Sequence, residues 1–213
     1  MTQQDIQDQT GWRGSREVWL DAARAALIDH GIDAVKVQPL ATGLGLSRTS
    51  FYWFFKDRAA LLQALQDDWE AANTQALVSA AAAYAATIPE AVLNVISVFL
   101  DAQGFSPRYD MAVRGWAHRD AQVAARVSAA DDRRLAAIRE MFLRFGFDAG
   151  EADVRARTIY LVQIGYIALQ TEETLADRMA RIPAYVQTFA GQPPSVADLA
   201  RFHARHGGAG GGP

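Results

Sequence analysis

Residues 37–58 read VQPLATGLGLSRTSFYWFFKDR, and this stretch decides the fold of the N-terminal part of the chain. Before its second glycine, small or apolar residues fall at helical spacing: Leu40, Ala41 and Leu44. Gly45 can then end the helix in the left-handed conformation without a Cβ penalty. Phe51 and Phe55 follow at an i, i+4 spacing that places both on one face. The stretch therefore predicts two short helices packed across a glycine turn.

The second of these helices is predicted to carry a polar, exposed side. Ser47 is placed to cap it, because the hydroxyl can accept a hydrogen bond from an amide of the first turn. The residues on or near the exposed side carry guanidinium, hydroxyl and indole groups: Arg48, Thr49, Ser50, Tyr52 and Trp53. Arginine can donate two hydrogen bonds to guanine, and hydroxyl groups can donate to phosphates or bases. This side is typical of a helix that enters a DNA groove.

The aromatic run from Tyr52 to Phe55 is too long for one buried helix face, so at least one ring is expected to be exposed, and Trp53 is the candidate. A third helix is predicted to begin after Asp57, which is a good N-cap, with Arg58 in its first turn. A helix start with unpaired amides and a nearby cation favours a phosphate.

The stretch from about Gly31 to Leu62 resembles the DNA-binding domain of TetR-family transcriptional regulators. In that family a glycine ends the first motif helix, and a tyrosine, a phenylalanine and a basic residue follow in the order Tyr52, Phe55, Arg58. The resemblance implies that Tyr52 and Arg58 lie on the phosphate backbone. It further implies these DNA-binding residues: Lys36, Ser47, Arg48, Thr49, Ser50, Trp53 and Lys56.

Three positions depart from the family pattern. Lys36 stands where threonine often caps the first motif helix, Thr49 where glycine is frequent, and Trp53 where histidine is common. Lys36 cannot cap an amide, so the start of that helix is expected to differ by a residue, although its ammonium group can contact phosphate. The alternative to a DNA reader is an ordinary pair of packed helices with a chance glycine, and it leaves the exposed aromatic ring unexplained.

Composition places the chain among ordinary globular proteins. It has 213 residues, 50% hydrophobic and 21% charged, with a net charge of −3 and no cysteine. Residues 11–58 carry seven basic and five acidic side chains, whereas the remainder carries a net charge of −5. Only the contacting face of a specific DNA binder has to neutralise phosphates, so mild overall acidity is compatible with DNA binding. The absence of a long apolar run and of a signal peptide predicts a cytoplasmic protein without membrane contact.

The whole chain is predicted to be all-α. A first helix from Trp12 to Asp29, with Ser15 as a candidate cap, is expected to turn Val18, Ala22 and Ala26 inward and to stop at Gly31. A long helix from 58 to about 85 carries Leu61, Leu62, Leu65, Trp69 and Ala72 at helical spacing. Further helices are predicted over 89–103, 107–118, 120–145, 150–172 and 174–190. We divide the chain into a helix-turn-helix DNA-binding domain over 11–57, a helical effector-binding and dimerisation domain over 58–206, and a flexible glycine-rich tail over 207–213.

The family resemblance implies that the later helices enclose a pocket for a small-molecule effector. Aromatic residues on amphipathic helices usually belong to a core, so each candidate has this alternative. An amide or hydroxyl beside aromatic rings can orient a mostly apolar ligand. The candidate ligand-binding residues are Trp69, Phe99, Trp116, His118, Phe142, Gln163 and Tyr166.

In this family the last two helices of the regular body form a four-helix interface in a homodimer, which here implies the segments 151–172 and 174–190. Small residues would allow close approach of the helices, and apolar residues would supply contact area. The candidate interface residues are Leu161, Gly165, Ala168, Leu169, Ile182, Tyr185, Val186 and Phe189. Burial within one subunit is an equally good explanation for some of them.

The resulting expectation is a homodimer on double-stranded operator DNA that acts as a repressor and that a small apolar or aromatic effector releases. An activator of the same fold and a helical protein-interaction adaptor are the alternatives. An enzyme is disfavoured because HExxH, GxSxG, a phosphate-binding glycine loop and a paired Glu-x-x-His are all missing from the sequence. His203 and His206 have HxxH spacing, but we interpret them as part of a solvated tail. No cofactor and no metal are predicted.

Overall fold

The computed structural model describes residues 14–101 and 104–206, which form helices and connecting turns without any strand. The all-α prediction is therefore confirmed. Trp12 and the predicted tail over 207–213 lie outside the described residues.

The helices follow one another with short connections. In chain order they are α1 Arg16–His30, α2 Val37–Leu44, α3 Arg48–Phe51, α4 Arg58–Trp69, α5 Gln75–Ala82, α6 Ile88–Val98, α7 Pro107–Ala117, α8 Ala121–Arg144, α9 Ala149–Ala168, α10 Leu175–Ala190 and α11 Val196–His206. A short 3₁₀ helix, Ile32–Ala34, separates α1 from α2.

Helix α1 begins after the Ser15 cap, later than the predicted start at Trp12, and stops before Gly31 as predicted, but its rotation differs by one residue. The Ser15 hydroxyl accepts a hydrogen bond from the Val18 amide at 3.3 Å, and Gly31 follows the last turn with a φ of 78°. Its buried residues are Trp19, Leu20, Ala23 and Leu27, whereas the expected Val18, Ala22 and Ala26 are half-buried. The large Trp19 ring, fully buried against Phe51, sets the rotation of the helix.

The predicted long helix after Arg58 is interrupted by a π-helical stretch, Glu70–Thr74, between α4 and α5. A π turn holds one more residue than an α turn, so the face that points inward shifts at this point. Ala72 was expected on the buried face and is exposed, while Asn73 and Thr74 are buried instead. The stretch thus brings two polar side chains into the interior of the second domain.

Helix α11 corrects the interpretation of the C-terminal segment as a solvated tail. The Ser195 hydroxyl accepts a hydrogen bond from the Asp198 amide, and the Asp198 carboxylate accepts one from the Ser195 amide. This reciprocal cap starts a helix that buries Phe202 and His206, and His206 Nε2 lies 2.9 Å from Ser97 Oγ on α6. The S-x-x-D pattern was the signal in the sequence that indicates such a helix.

Two clusters of buried apolar side chains fill the molecule. One lies among α5, α6, the second half of α8, α9, α10 and α11. The other joins the buried faces of α1 to α4 with α7 and the first half of α8. The N-terminal helices therefore share their core with α7, and the predicted boundary at residue 58 falls within continuous packing.

Candidate functional site

The turn between α2 and α3 has the geometry that the glycine predicts. Gly45 is left-handed, with φ 65° and ψ 25°, and the Leu46 amide donates to the Ala41 carbonyl at 2.9 Å. Ser47 then caps α3, because its hydroxyl accepts a hydrogen bond from the Ser50 amide at 3.2 Å. These local hydrogen bonds fix the direction in which α3 leaves the turn.

Aromatic packing fixes the rotation of α3. Phe51 and Phe55 are buried with their ring centroids 5.5 Å apart, and Phe51 meets Trp19 edge to face at 5.3 Å. The opposite side of α3 and of the turn after it is exposed, with Trp53 at 66% and Tyr52 at 52%. The predicted exposure of Trp53 is confirmed.

Arg48 and Thr49 join this exposed side, and together with Tyr52 and Trp53 they form what we name the α3 surface. Ser50 does not belong to it. Its side chain is buried, and its hydroxyl donates to the Ser47 carbonyl at 2.8 Å. The expectation that Ser50 lies on the exposed side is therefore wrong, because its hydroxyl completes the local turn.

The predicted N-cap of α4 is present, whereas the Arg58 side chain makes hydrogen bonds within the protein. Asp57 Oδ1 accepts a hydrogen bond from the Ala60 amide at 2.8 Å. The Arg58 guanidinium, however, donates from Nε to the Val35 carbonyl at 2.6 Å and from Nη2 to the Ile32 carbonyl at 3.1 Å. Arg58 thus ties α4 to the segment before α2, and its predicted phosphate contact stays a prediction.

The two lysines of the predicted DNA-binding set are exposed beside this region. Lys36 occupies the N-cap position of α2 and makes no side-chain cap, as its chemistry requires. Lys56 lies in the turn just before α4. Both ammonium groups are therefore placed outside the core, where a phosphate can approach.

A cavity of about 810 Å³ lies between the N-terminal helices and the later helices of the chain. Its walls come from the end of α1 and the 3₁₀ helix, from α7, and from the end of α9 with the start of α10. Of the predicted ligand-binding residues, Trp116 and Tyr166 line it. Its volume lies within the usual range for small-molecule sites, about 300–1,000 Å³.

The other predicted ligand-binding residues do not line this cavity. Three of them are buried in the two apolar clusters: Trp69, Phe99 and Phe142. His118 is exposed at the end of α7, and Gln163 is buried behind the cavity wall, where its amide oxygen accepts a hydrogen bond from Arg178 at 3.0 Å. The large rings pack as core residues, which was the alternative that the sequence left open.

A buried polar network that the sequence analysis missed lies next to the apolar clusters. Asp110 Oδ1 accepts hydrogen bonds from Trp69 Nε1 at 2.9 Å and from Arg134 Nη1 at 3.1 Å. Arg114 pairs with Asp110 and with Asp131. No spacing in the sequence reveals this network, because its members come from α4, α7 and α8.

The pKa of Asp131 lies below its usual value although its side chain is half-buried. Burial by itself would raise the pKa of this carboxyl group, but hydrogen bonds from Arg114 and Tyr160 and the charges of Arg114 and Arg134 hold it below its usual value. Burial also raises the pKa of the Tyr160 hydroxyl, which stays a donor to Asp131 Oδ1 at 2.6 Å. The network is therefore charged and internally compensated.

The predicted dimer residues fall into two groups. Leu161, Ala168 and Leu169 are exposed on or just after α9, and Gly165 is half-buried among them. Val154, which the sequence analysis omitted, extends this exposed stripe two turns before Leu161. The stripe shows the i, i+7 spacing of one helix face.

The predicted residues on α10 point mostly the other way. Ile182, Val186 and Phe189 are buried within the subunit, in the same cluster as α6 and α9. Tyr185 is half-buried, and its hydroxyl lies 2.7 Å from that of Tyr166. Three of the four α10 residues are therefore core residues of one subunit.

Two further searches of the described residues gave negative findings. None of their helices combines the length and the apolar character needed to cross a membrane. They contain no group of three or more potential metal-ligating side chains. His203 is exposed whereas His206 is buried against Ser97, so the HxxH pair does not act as a unit.

Comparisons with known proteins agree with this geometry. A family model described as bacterial regulatory proteins, tetR family, matches residues 20–65, which span α1 to α4. Comparison with curated protein sequences gives no significant match.

Three solved structures are similar over most of their length. A proposed TetR-family transcriptional regulator from Mesorhizobium loti superposes with a TM-score of 0.58 at 16% identity, covering 89% of this chain and 95% of that one. A proposed TetR-family regulator from Rhodococcus sp. gives 0.57 at 15% identity, with coverage of 82% and 98%. Salmonella enterica GusR gives 0.58 at 14% identity, with coverage of 90% and 95%. The likeness extends through both domains of the fold.

Proposed function

We propose that this chain, which carries a TetR-family DNA-binding domain on the fold of TetR-family transcriptional regulators, is a dimeric cytoplasmic repressor controlled by a small-molecule effector. The α3 surface carries this proposal. Arg48 and Thr49 on α3, and Tyr52 and Trp53 in the turn after it, are exposed, and Ser47 and Phe51 hold the direction and rotation of the helix. A helix held in this way can present its side chains to a major groove.

The α3 surface combines two kinds of DNA contact. Arg48 has the chemistry to contact guanine O6 and N7, whereas the hydroxyls of Thr49 and Tyr52 suit phosphates and base edges. Lys36 and Lys56 add positive charge beside it. Base contacts supply the sequence preference, and phosphate contacts supply affinity that falls as salt rises.

A second copy of the chain is expected to pack on the stripe of α9. Val154, Leu161 and Leu169 expose large apolar side chains there, at 63%, 59% and 80%. A dimer that reads two successive major grooves needs its two α3 surfaces about 34–36 Å apart. A palindromic operator would follow from that symmetry.

The cavity between the domains is the proposed effector site. It touches α1 of the DNA-binding domain directly through Leu27 and Ile28 and touches the second domain through Met111 and Trp116. An effector that binds the DNA-incompetent arrangement more tightly shifts the population away from DNA. Repression by the unliganded dimer is then relieved.

The deciding experiment is fluorescence anisotropy of the purified protein with DNA fragments tiled across the region upstream of its own gene. Tyr52→Ala and Arg48→Ala test the α3 surface, and Tyr84→Ala is the matched control because Tyr84 is 88% exposed outside that surface. We expect tight binding to one fragment, weakened by salt and by both test substitutions but not by the control. Equal binding to every fragment, or equal loss in all three variants, would contradict the proposal.

The sign of regulation needs a separate measurement. A reporter gene placed behind the bound fragment should be silenced by the wild-type protein and expressed with Tyr52→Ala. Reporter activity that rises with the wild-type protein would instead identify an activator. A protein that binds no DNA fragment but binds a partner protein would instead support the alternative of a helical protein-interaction adaptor.

A further inference from the structure

We propose that the cavity between the domains binds a small organic anion with an apolar body, and that the anionic group replaces Asp29 as the partner of Arg108 or Asp33 as the partner of Arg119. This inference rests on the proposed function only in taking the cavity as the effector site. It adds the chemical class of the effector and the contacts through which the effector acts on the DNA-binding domain.

The apolar part of the argument is the cavity wall. The apolar side chains that line it come from both domains: Leu27, Ile28, Ile32, Met111, Trp116 and Ile167. Burying an apolar ligand surface against them is favourable by roughly 25 cal/mol per Å². A ring system or a short alkyl chain therefore fits the floor of the site.

Within the described part of the chain, the charged side chains that line the cavity are all positive. The ionisable side chains of the described residues that line the cavity are Arg108, Arg119, Arg178 and Tyr166, and no carboxylate is among them. Arg178 is half-buried, with its guanidinium carbon 5.1 Å from the Tyr166 ring centroid, and its Nε lies 3.7 Å from Glu173 Oε1, so this arginine already has a carboxylate partner outside the lining. A cavity lined by arginines favours an anion, because guanidinium groups bind carboxylates through paired, charge-assisted hydrogen bonds.

Two of these arginines also tie the domains together. Arg108, in the first turn of α7, donates from Nη2 to Asp29 Oδ1 near the end of α1 at 2.7 Å. Arg119, just after α7, donates from Nη1 to Asp33 Oδ2 in the 3₁₀ helix at 2.5 Å. The two ion pairs span the same boundary between the domains as the cavity.

Another anion can readily replace the aspartate in each of these two ion pairs. Their side chains are largely exposed, at 74% and 46% for Arg108 and Asp29 and at 66% and 71% for Arg119 and Asp33. Exposed ion pairs contribute little, because water and salt already screen them. A bound anion that is anchored by its apolar body can therefore replace either aspartate without a large loss.

The exchange has a direction for function. Asp29 and Asp33 belong to the DNA-binding domain, and Arg108 and Arg119 belong to the second domain. When an anion occupies the arginines, the electrostatic tie between α1 and α7 is lost while the shared apolar core remains. The loss then shifts the balance between arrangements of α1 and α7 by no more than the small free energy of these pairs.

Isothermal titration calorimetry at physiological salt tests the anion preference. The probes are 4-phenylbutyrate, naphthalene-1-acetate and decanoate, each compared with its own primary amide, which keeps the apolar body and removes the charge. We expect at least one carboxylate to bind about tenfold or more tightly than its amide. Equal affinity of each carboxylate and its amide, or no carboxylate binding at any soluble concentration, overturns the proposal.

Substitutions at the ion pairs test the exchange. Replacing the arginines and replacing the aspartates should change the affinity for carboxylates in opposite directions. Arg108→Gln and Arg119→Gln should weaken carboxylate binding and leave amide binding unchanged. Asp29→Asn and Asp33→Asn remove the competing carboxylates and should strengthen carboxylate binding by about twofold to fivefold. A loss of affinity in both aspartate variants overturns the exchange, since a purely structural role of the pairs would predict that loss.

Matched controls and a second kind of variant keep the test decisive. Asp21→Asn, on α1 with Arg24 as its partner, and Arg139→Gln, on α8 with Glu140 as its partner, lie outside the cavity and should not change binding. Met111→Glu puts a carboxylate into the lining and should abolish carboxylate binding while circular dichroism stays unchanged. Unaltered carboxylate binding in Met111→Glu places the anion elsewhere and overturns the proposal.

The same preparations separate this inference from the proposed function. Operator binding by the unliganded protein tests the DNA reader, whereas the calorimetry tests the anion site without DNA. A saturating carboxylate should lower operator affinity in the wild type but not in the Asp29→Asn, Asp33→Asn double variant. An equal decrease in both proteins overturns the exchange, even when the protein binds its operator.

Discussion

Asp110 Oδ1 lies 3.1 Å from Arg134 Nη1, and both side chains are fully buried. The pair connects α7 with α8, and it meets α4 through Trp69, whose indole donates to the same carboxylate oxygen. Arg134 also donates from Nε to Thr74 Oγ1 at 3.0 Å, within the π-helical stretch. One buried carboxylate therefore links α4, α7 and α8, and α7 also forms part of the cavity wall.

The Asp110 carboxylate is predicted to be the most costly member of this network to remove. Asp110→Ala should lower the free energy of unfolding by about 3–5 kcal/mol, because it leaves buried arginine donors without their partner. Arg134→Met should cost less, since Asp110 keeps Arg114 at 2.7 Å. Urea unfolding measures both, with Arg139→Met as an exposed control expected within about 0.5 kcal/mol of the wild type. A larger loss in Arg134→Met than in Asp110→Ala would refute this ranking.

Arg48 and Arg58 are predicted to differ in stability as well as in DNA binding. Arg48→Ala should leave thermal stability unchanged, cost about 1–3 kcal/mol on the cognate site and relax the sequence preference. Arg58→Ala removes hydrogen bonds to the carbonyls of Val35 and Ile32, so it should lower stability by about 1–2 kcal/mol and weaken binding to all sequences alike. Thermal unfolding and anisotropy on cognate and scrambled DNA distinguish the two. Identical profiles would argue against this division of roles.

The exposed stripe on α9 is predicted to hold the dimer. Leu161→Arg should produce a monomer that keeps its helical content, because Leu161 is 59% exposed and its replacement disturbs no core. Light scattering after size-exclusion chromatography measures the mass, and circular dichroism checks the fold. Tyr84→Arg is the control, since Tyr84 exposes a large side chain away from α9. A dimer that persists in Leu161→Arg would move the interface to another face.

The docking of α11 is predicted to weaken in mild acid. Burial, reinforced by the charge of Arg205, lowers the pKa of His206 below its ordinary value, although Asp101 acts in the opposite direction. The unfolded chain then binds the proton more tightly than the folded one, so stability is unaffected above the unfolded pKa of about 6.5 and falls as the pH drops below it.

Thermal unfolding between about pH 8 and about pH 5.5 tests this effect. The wild type and His203→Gln, an exposed neighbour, should lose stability over this range by the same amount. His206→Gln should lose less, because the group that takes up the proton is missing. A parallel loss in all three proteins would exclude His206 as the cause.

Several predictions from the sequence were confirmed because they depend on residues close together in the chain. The caps at Ser15, Ser47 and Asp57 form as expected, since each needs only an amide three residues further on. The all-α fold and the resemblance of residues 31–62 follow from the same local patterns. Where the prediction failed locally, at Ser50, the hydroxyl had a closer acceptor in the Ser47 carbonyl.

Predictions of pocket and interface residues were less successful, because burial depends on the rest of the molecule. Trp69 and Phe142 were pocket candidates although aromatic residues on amphipathic helices usually belong to a core, and both are core residues. Val186 and Phe189 read equally well as interface or core, and both are buried in the subunit. An apolar residue on an amphipathic helix shows which face is covered but not what covers it.

The sequence by itself determined the all-helical fold, the glycine turn and the polar side of α3, because capping, left-handed glycine and helical spacing are properties of neighbouring residues. Only the tertiary structure decided the cavity, the ties from Arg108 and Arg119, and the pairing of Asp110 with Arg134. These features join residues 24 to 86 positions apart, with no local conformational signature of their own. Their free energy depends on packing that brings distant helices together and removes them from water.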